Sequence, residues 1–74
     1  MAVKRIKIKT HTFDIERIGA SDTFNLYSVI EYKSGDEINA MLGYANIKKV
    51  KEAIIKKAHS NSIEVSEKLR EVGL

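Results

Sequence analysis

Residues 24–45 read FNLYSVIEYKSGDEINAMLGYA. The stretch 24–33 is rich in the aromatic and β-branched side chains that suit a pleated, half-buried strand. Phe24, Leu26, Ile30 and Tyr32 alternate onto one face, while Tyr27 and Val29 put apolar surface on the other. Apolar side chains on both faces predict a central strand. Lys33, Ser34, Gly35, Asp36 and Glu37 supply turn chemistry, with Gly35 free to take a positive φ. Ile38, Ala40, Leu42 and Tyr44 then alternate with Glu37, Asn39 and Met41 in a returning strand. A period of two on both sides of a turn makes the centre of the chain a hairpin, and the fold is built outward from it.

Toward the N-terminus, Arg5, Lys7 and Lys9 alternate with Ile6 and Ile8, as in a strand with one wet and one buried face. The phase shifts around residues 10–12, because Phe13 and Ile15 occupy odd positions. A bulge or a tight turn explains such a shift, since a slip of one residue moves every side chain to the other face. Ile18, Gly19, Ala20, Ser21 and Asp22 read as a loop.

Toward the C-terminus the period changes at Asn46, an N-cap residue followed at helical spacing by Ile47, Val50, Ile54 and Ala58. Lys48, Lys49, Glu52 and Lys56 fall on the opposite side, and Lys48–Glu52 and Glu52–Lys56 are supporting i,i+4 pairs. His59, Ser60, Asn61 and Ser62 interrupt the pattern. Asn61 with Glu64 resembles a capping box, and Val65, Leu69 and Val72 form a shorter apolar stripe ending at Gly73. The expected architecture is α+β: an antiparallel sheet of about three strands over residues 3–44, then helices at 47–58 and 63–72 packed on one sheet face. Residues 1–74 are expected to form a single small domain.

The 74 residues include no Cys, Pro or Trp, which removes disulfides, thiolate zinc sites and cysteine nucleophiles. Apolar residues at 43% with charged residues at 31% match a folded domain and not a disordered chain. No apolar run approaches the roughly 18 residues of a membrane span, and the N-terminus lacks a signal-peptide core, so a cytoplasmic setting is expected.

Catalytic constellations are not evident. His11 and His59 lie far apart in sequence without partners at ligand or general-base spacing. Ser60 and Ser62 sit in no nucleophile motif, and Gly19, Gly35, Gly43 and Gly73 fit no phosphate loop. Asp14 and Glu16 share a strand face beside Arg17 and read as a salt-bridged edge. The expectation is a protein that is not an enzyme and needs no metal or cofactor.

Charge is more informative than its total of +3. Residues 1–20 balance to +3, residues 21–45 to −3 and residues 46–74 to +3, so two basic segments flank an acidic middle. Arg5, Lys7 and Lys9 recur at about 6.6–6.8 Å along one strand face, suited to tracking phosphates. Lys48, Lys49, Lys56 and Lys57 offer a second basic ridge, and Thr10, Thr12, Tyr27 and Asn39 add hydrogen-bonding or stacking groups. These residues predict nucleic-acid binding of weak sequence specificity, to DNA or RNA. Over roughly the first 58 residues, the order of elements resembles the integrase arm-binding and plant AP2 domains, which lay a sheet into the major groove. That likeness is one of layout, since no signature residue matches.

The alternative is a protein-interaction or inhibitor module of the kind found among small phage or mobile-element accessory proteins. Its interface residues are Tyr27, Asp36, Glu37 and Tyr44, with the acidic middle segment meeting a basic surface on a partner. A chain this small gains from dimerisation, and the C-terminal helix, with few core residues, is the expected place for a homodimer contact.

Overall fold

In a computed structural model describing residues 3–74, the elements are β1 (Val3–Ile8), β2 (His11–Arg17), β3 (Phe24–Glu31), β4 (Glu37–Ala45), α1 (Ile47–Ala58) and α2 (Ser62–Glu71). The expected single domain includes Met1 and Ala2, which lie outside the described residues. The change of phase between Ile8 and Phe13 is a two-residue turn. Ile8 pairs with His11 and Ile6 with Phe13, so even positions face odd positions across the turn. Lys9 takes a left-handed conformation, φ 56°, to close it. The sheet therefore has four antiparallel strands, in the order β1-β2-β3-β4, and not about three.

A second irregularity lies in β4. Leu26 pairs with Gly43 but Tyr27 pairs with Met41, leaving Leu42 as the extra residue of a bulge. Gly43 carries the bulge at φ 140°, a conformation that a side chain disfavours. The alternation expected from Ile38 to Tyr44 is broken there. Tyr44 pairs with Asn25, so it joins Tyr27, Met41 and Glu37 on the face opposite Ile38 and Ala40.

Both helices cover the same sheet face. The Asn46 side chain accepts from the Lys49 N–H at 3.0 Å and starts α1, as its sequence predicts. Val50, Ile54 and Ala58 then turn inward and α1 lies over β3 and β4. The Asn61 side chain accepts from the Glu64 N–H at 2.9 Å to start α2, which packs Val65 and Leu69 against β1 and α1. The core joins these to Ile6, Ile8, Phe13, Ile15, Phe24 and Leu26 of the sheet. The apolar stripe of α2 is thus used within the chain, and its exposed apolar residue is Ile63. Ile30, Tyr32 and Ile38 lie at the end of the β3–β4 hairpin, away from this core, and each stays about half exposed. Among the described residues, no helix is long and apolar enough to cross a membrane.

Candidate functional site

The sheet face opposite the helices is uncovered. Strand alternation places Arg5 and Lys7 of β1 there, with Thr12, Asp14 and Glu16 of β2 and Asn25, Tyr27, Val29 and Glu31 of β3. From β4 come Glu37, Asn39, Met41 and, through the bulge, Tyr44. At its centre Asp14 is only 4% exposed, and a buried carboxylate is costly unless it is paired and hydrogen-bonded. Arg5 meets that need. Its Nε donates to Asp14 Oδ1 at 2.7 Å and its Nη2 to Oδ2 at 3.0 Å, a bidentate pair that fixes both side chains. Asn39 Nδ2 donates to Asp14 Oδ2 at 3.1 Å from β4.

The same guanidinium also reaches Glu37, donating from Nη2 to Oε1 at 2.9 Å and from Nη1 to Oε2 at 3.3 Å. Hydrogen bonds donated to Asp14 first and Glu37 second raise the pKa of Arg5 above its already high ordinary value, so it stays charged at any working pH. A second carboxylate is held beside this network. Glu16 Oε1 accepts from Asn25 Nδ2 at 3.1 Å and from the Tyr27 hydroxyl at 3.5 Å. No buried side-chain polar atom among the described residues lacks a partner.

The charge of this face follows from its membership. Arg5 and Lys7 stand against Asp14, Glu16, Glu31 and Glu37, a net of −2 on a chain whose total is +3. Apolar and aromatic groups border the carboxylates. Tyr44 is 71% exposed and Met41 54%, while Tyr27 is half-buried.

The residues singled out from the sequence are redistributed accordingly. Tyr27, Glu37 and Tyr44 come together on the open face. Asp36 stays in the turn, where its Oδ2 accepts from the Ser34 hydroxyl at 3.0 Å. The basic series Arg5, Lys7, Lys9 is divided. Arg5 is occupied by two carboxylates and Lys7 stays on the sheet face. Lys9 is not in the strand but in the turn after it, where its ammonium donates to the His59 carbonyl at the end of α1. Lys48, Lys49 and Lys56 line the exposed side of α1, and Lys49 lies 3.7 Å from Glu52. Arg17 leaves Asp14 and Glu16 alone: it points to the helix side, 4.7 Å over the Phe24 ring, and Nη1 donates to the Ser21 carbonyl at 3.0 Å.

Sequence reasoning missed two groupings. Asn39 as a ligand of Asp14 has no local signal, because the two are 25 residues apart. The other is a basic end, where the β1–β2 turn meets the end of α1. Lys7, His11 and Lys57 share one shallow depression there, and His11, Lys56, Lys57 and His59 share the next. Among the described residues no group of three or more His, Asp or Glu could hold a metal ion. No protein family, curated protein or solved structure matches this chain.

Proposed function

We propose that this chain is a non-enzymatic interaction module whose open sheet face docks on a basic surface of a partner protein. One observation carries the reading: the uncovered face holds four carboxylates against two cations and is bordered by the exposed Tyr44 and Met41. Two of those carboxylates are held in place by Arg5, so little side-chain freedom is lost on docking. Exposed tyrosine provides the large, rigid contact area that dominates binding energy, and the surrounding carboxylates select a cationic partner. A surface that otherwise binds nucleic acid is one such partner.

The test is affinity capture with the whole chain and its variants. The expected partner binds the parent protein and Lys49→Glu, and is lost with Tyr44→Ala and with Glu31→Lys. A partner held equally by all four proteins does not use this face and overturns the reading.

Nucleic-acid binding stands as a second reading because Lys7, Lys9, Lys56 and Lys57 converge on the basic end with two histidines. Lysine contacts go to phosphates, so such binding is weak in sequence specificity and steep in salt dependence. It uses the opposite charge from the leading reading and meets the open face at Lys7 and Glu31, which line one depression.

A further inference from the structure

We infer that the outer edge of β4 pairs with β4 of a second copy of this chain, antiparallel and about a two-fold axis near Ala40. The two edges of the sheet are built differently. β1 carries Lys4, Arg5 and Lys7 along its length, the charged guard that keeps an edge strand from pairing. β4 has no charged side chain after Glu37, and Ile38, Met41, Leu42 and Tyr44 are all exposed along it. An unguarded apolar edge is a template for another strand, with its outward backbone N–H and C=O groups open to a partner.

Self-complementarity names the partner as a second copy. Antiparallel pairing about Ala40 sets Ile38 opposite Leu42 of the copy and Asn39 opposite Met41. Directly opposed residues share a face, so Ile38 of each protomer covers Leu42 of the other. Leu42 borders a depression with Tyr44, Lys49 and Ala53, and the incoming Ile38 reaches it. Charge agrees with the same register. Asp36 precedes the start of β4 and falls toward Tyr44 of the copy, whose depression Lys49 also lines, so antiparallel pairing brings Asp36 of one copy toward Lys49 of the other, twice. Symmetry about Ala40 and the bulge at Leu42 limit the paired segment to residues 38–42. The product is a continuous sheet with four strands from each copy, the helices on one side and both open faces free on the other.

Sedimentation equilibrium of the full chain from about 1 to 500 μM tests this, because a dimer is concentration-dependent. The expected mass rises from 8.4 kDa toward twice that value. Ile38→Lys or Leu42→Lys weakens association at least tenfold, with the fold retained by circular dichroism because both sites are exposed in the monomer. Asp36→Lys weakens it several-fold, and Asp36→Lys combined with Lys49→Asp restores it. Ile63→Lys on α2 leaves the dimer unchanged. A monomer at every concentration overturns the proposal, as does a dimer that is indifferent to Ile38→Lys or is lost with Ile63→Lys. Met41 and Tyr44 border both the edge and the open face, but that face is already exposed in the monomer, so a negative result here leaves the docking reading standing.

Discussion

Arg5 and Glu37 stand on the two outermost strands of the sheet, yet Arg5 Nη2 lies 2.9 Å from Glu37 Oε1. In a flat sheet those strands are about 14 Å apart, from a spacing of about 4.8 Å per strand. The two residues are also offset by two rows of the register. The contact is therefore made only because the sheet twists and curls toward its open face. The row between them holds Val29, which is 8% exposed and separate from the helix-side core. The ion pair crosses a small apolar spot and joins both edges of the sheet above it.

Arg5→Met is expected to cost about 1–2 kcal/mol, because it leaves Asp14 buried with only Asn39 as a side-chain donor. The figure is kept low because the Arg5 side chain is 46% exposed, and solvent screens its outer bonds. Arg5→Lys recovers only part of the loss, since an ammonium cannot bridge two carboxylates with paired donors. Lys7→Met, on the same strand face without an ion pair, changes stability by less than about 0.5 kcal/mol. Urea denaturation of the four proteins measures all of this.

At Gly43 a Cβ meets nothing within 4 Å, so the cost of a side chain there is conformational and not steric. Gly43→Ala forces φ 140° on a residue that avoids it, and is expected to lower stability by about 1–2 kcal/mol. Gly35→Ala, in the turn at φ 93°, shows a loss of the same origin. The Gly43 variant differs in a second readout: amide exchange rises in β4 beyond the bulge, where Tyr44 and Ala45 lose their pairing with β3.

The two helix caps act separately. Asn46→Ala and Asn61→Ala each remove one side-chain acceptor from the first turn of a helix and are expected to cost about 1 kcal/mol apiece. Thermal unfolding of the single and double variants checks them, and the double variant loses the sum if the two sites are independent.

Affinity for nucleic acid is expected to depend on the basic end and not on Arg5. With labelled duplex DNA titrated between about 50 and 200 mM salt, Lys56→Glu with Lys57→Glu weakens binding and flattens the salt slope by about 2. Arg5→Met leaves both unchanged, because the guanidinium is already neutralised by Asp14 and Glu37. Equal sensitivity to the two changes contradicts the assignment, and no binding at low salt removes the nucleic-acid reading.

Local pattern was enough for the α+β class, the hairpin at Gly35 and both helix starts. A cap residue, a change of period and a turn glycine all act within a few residues of one another. The fourth strand was harder to see, since a two-residue turn and a bulge leave the same mark on the sequence, a one-residue change of phase. The turn at Lys9 resolved the shift before Phe13, while the bulge at Leu42 went unmarked because its neighbours are all apolar or neutral.

The open face lies almost wholly beyond such reasoning. The sequence by itself determined that the chain is mildly basic, that Arg5 and Lys7 share one strand face, and that Asp14 and Glu16 share one on the next strand. Only the tertiary structure decided that Arg5 belongs to Asp14, 9 residues away, and to Glu37, 32 residues away. It also sent Lys9 to α1 and carried Tyr44 across the bulge to join Tyr27. The physical reason is that ion pairs and hydrogen bonds depend on separation in space. Strand register and sheet curl set that separation, and neither is contained in the spacing of residues along the chain.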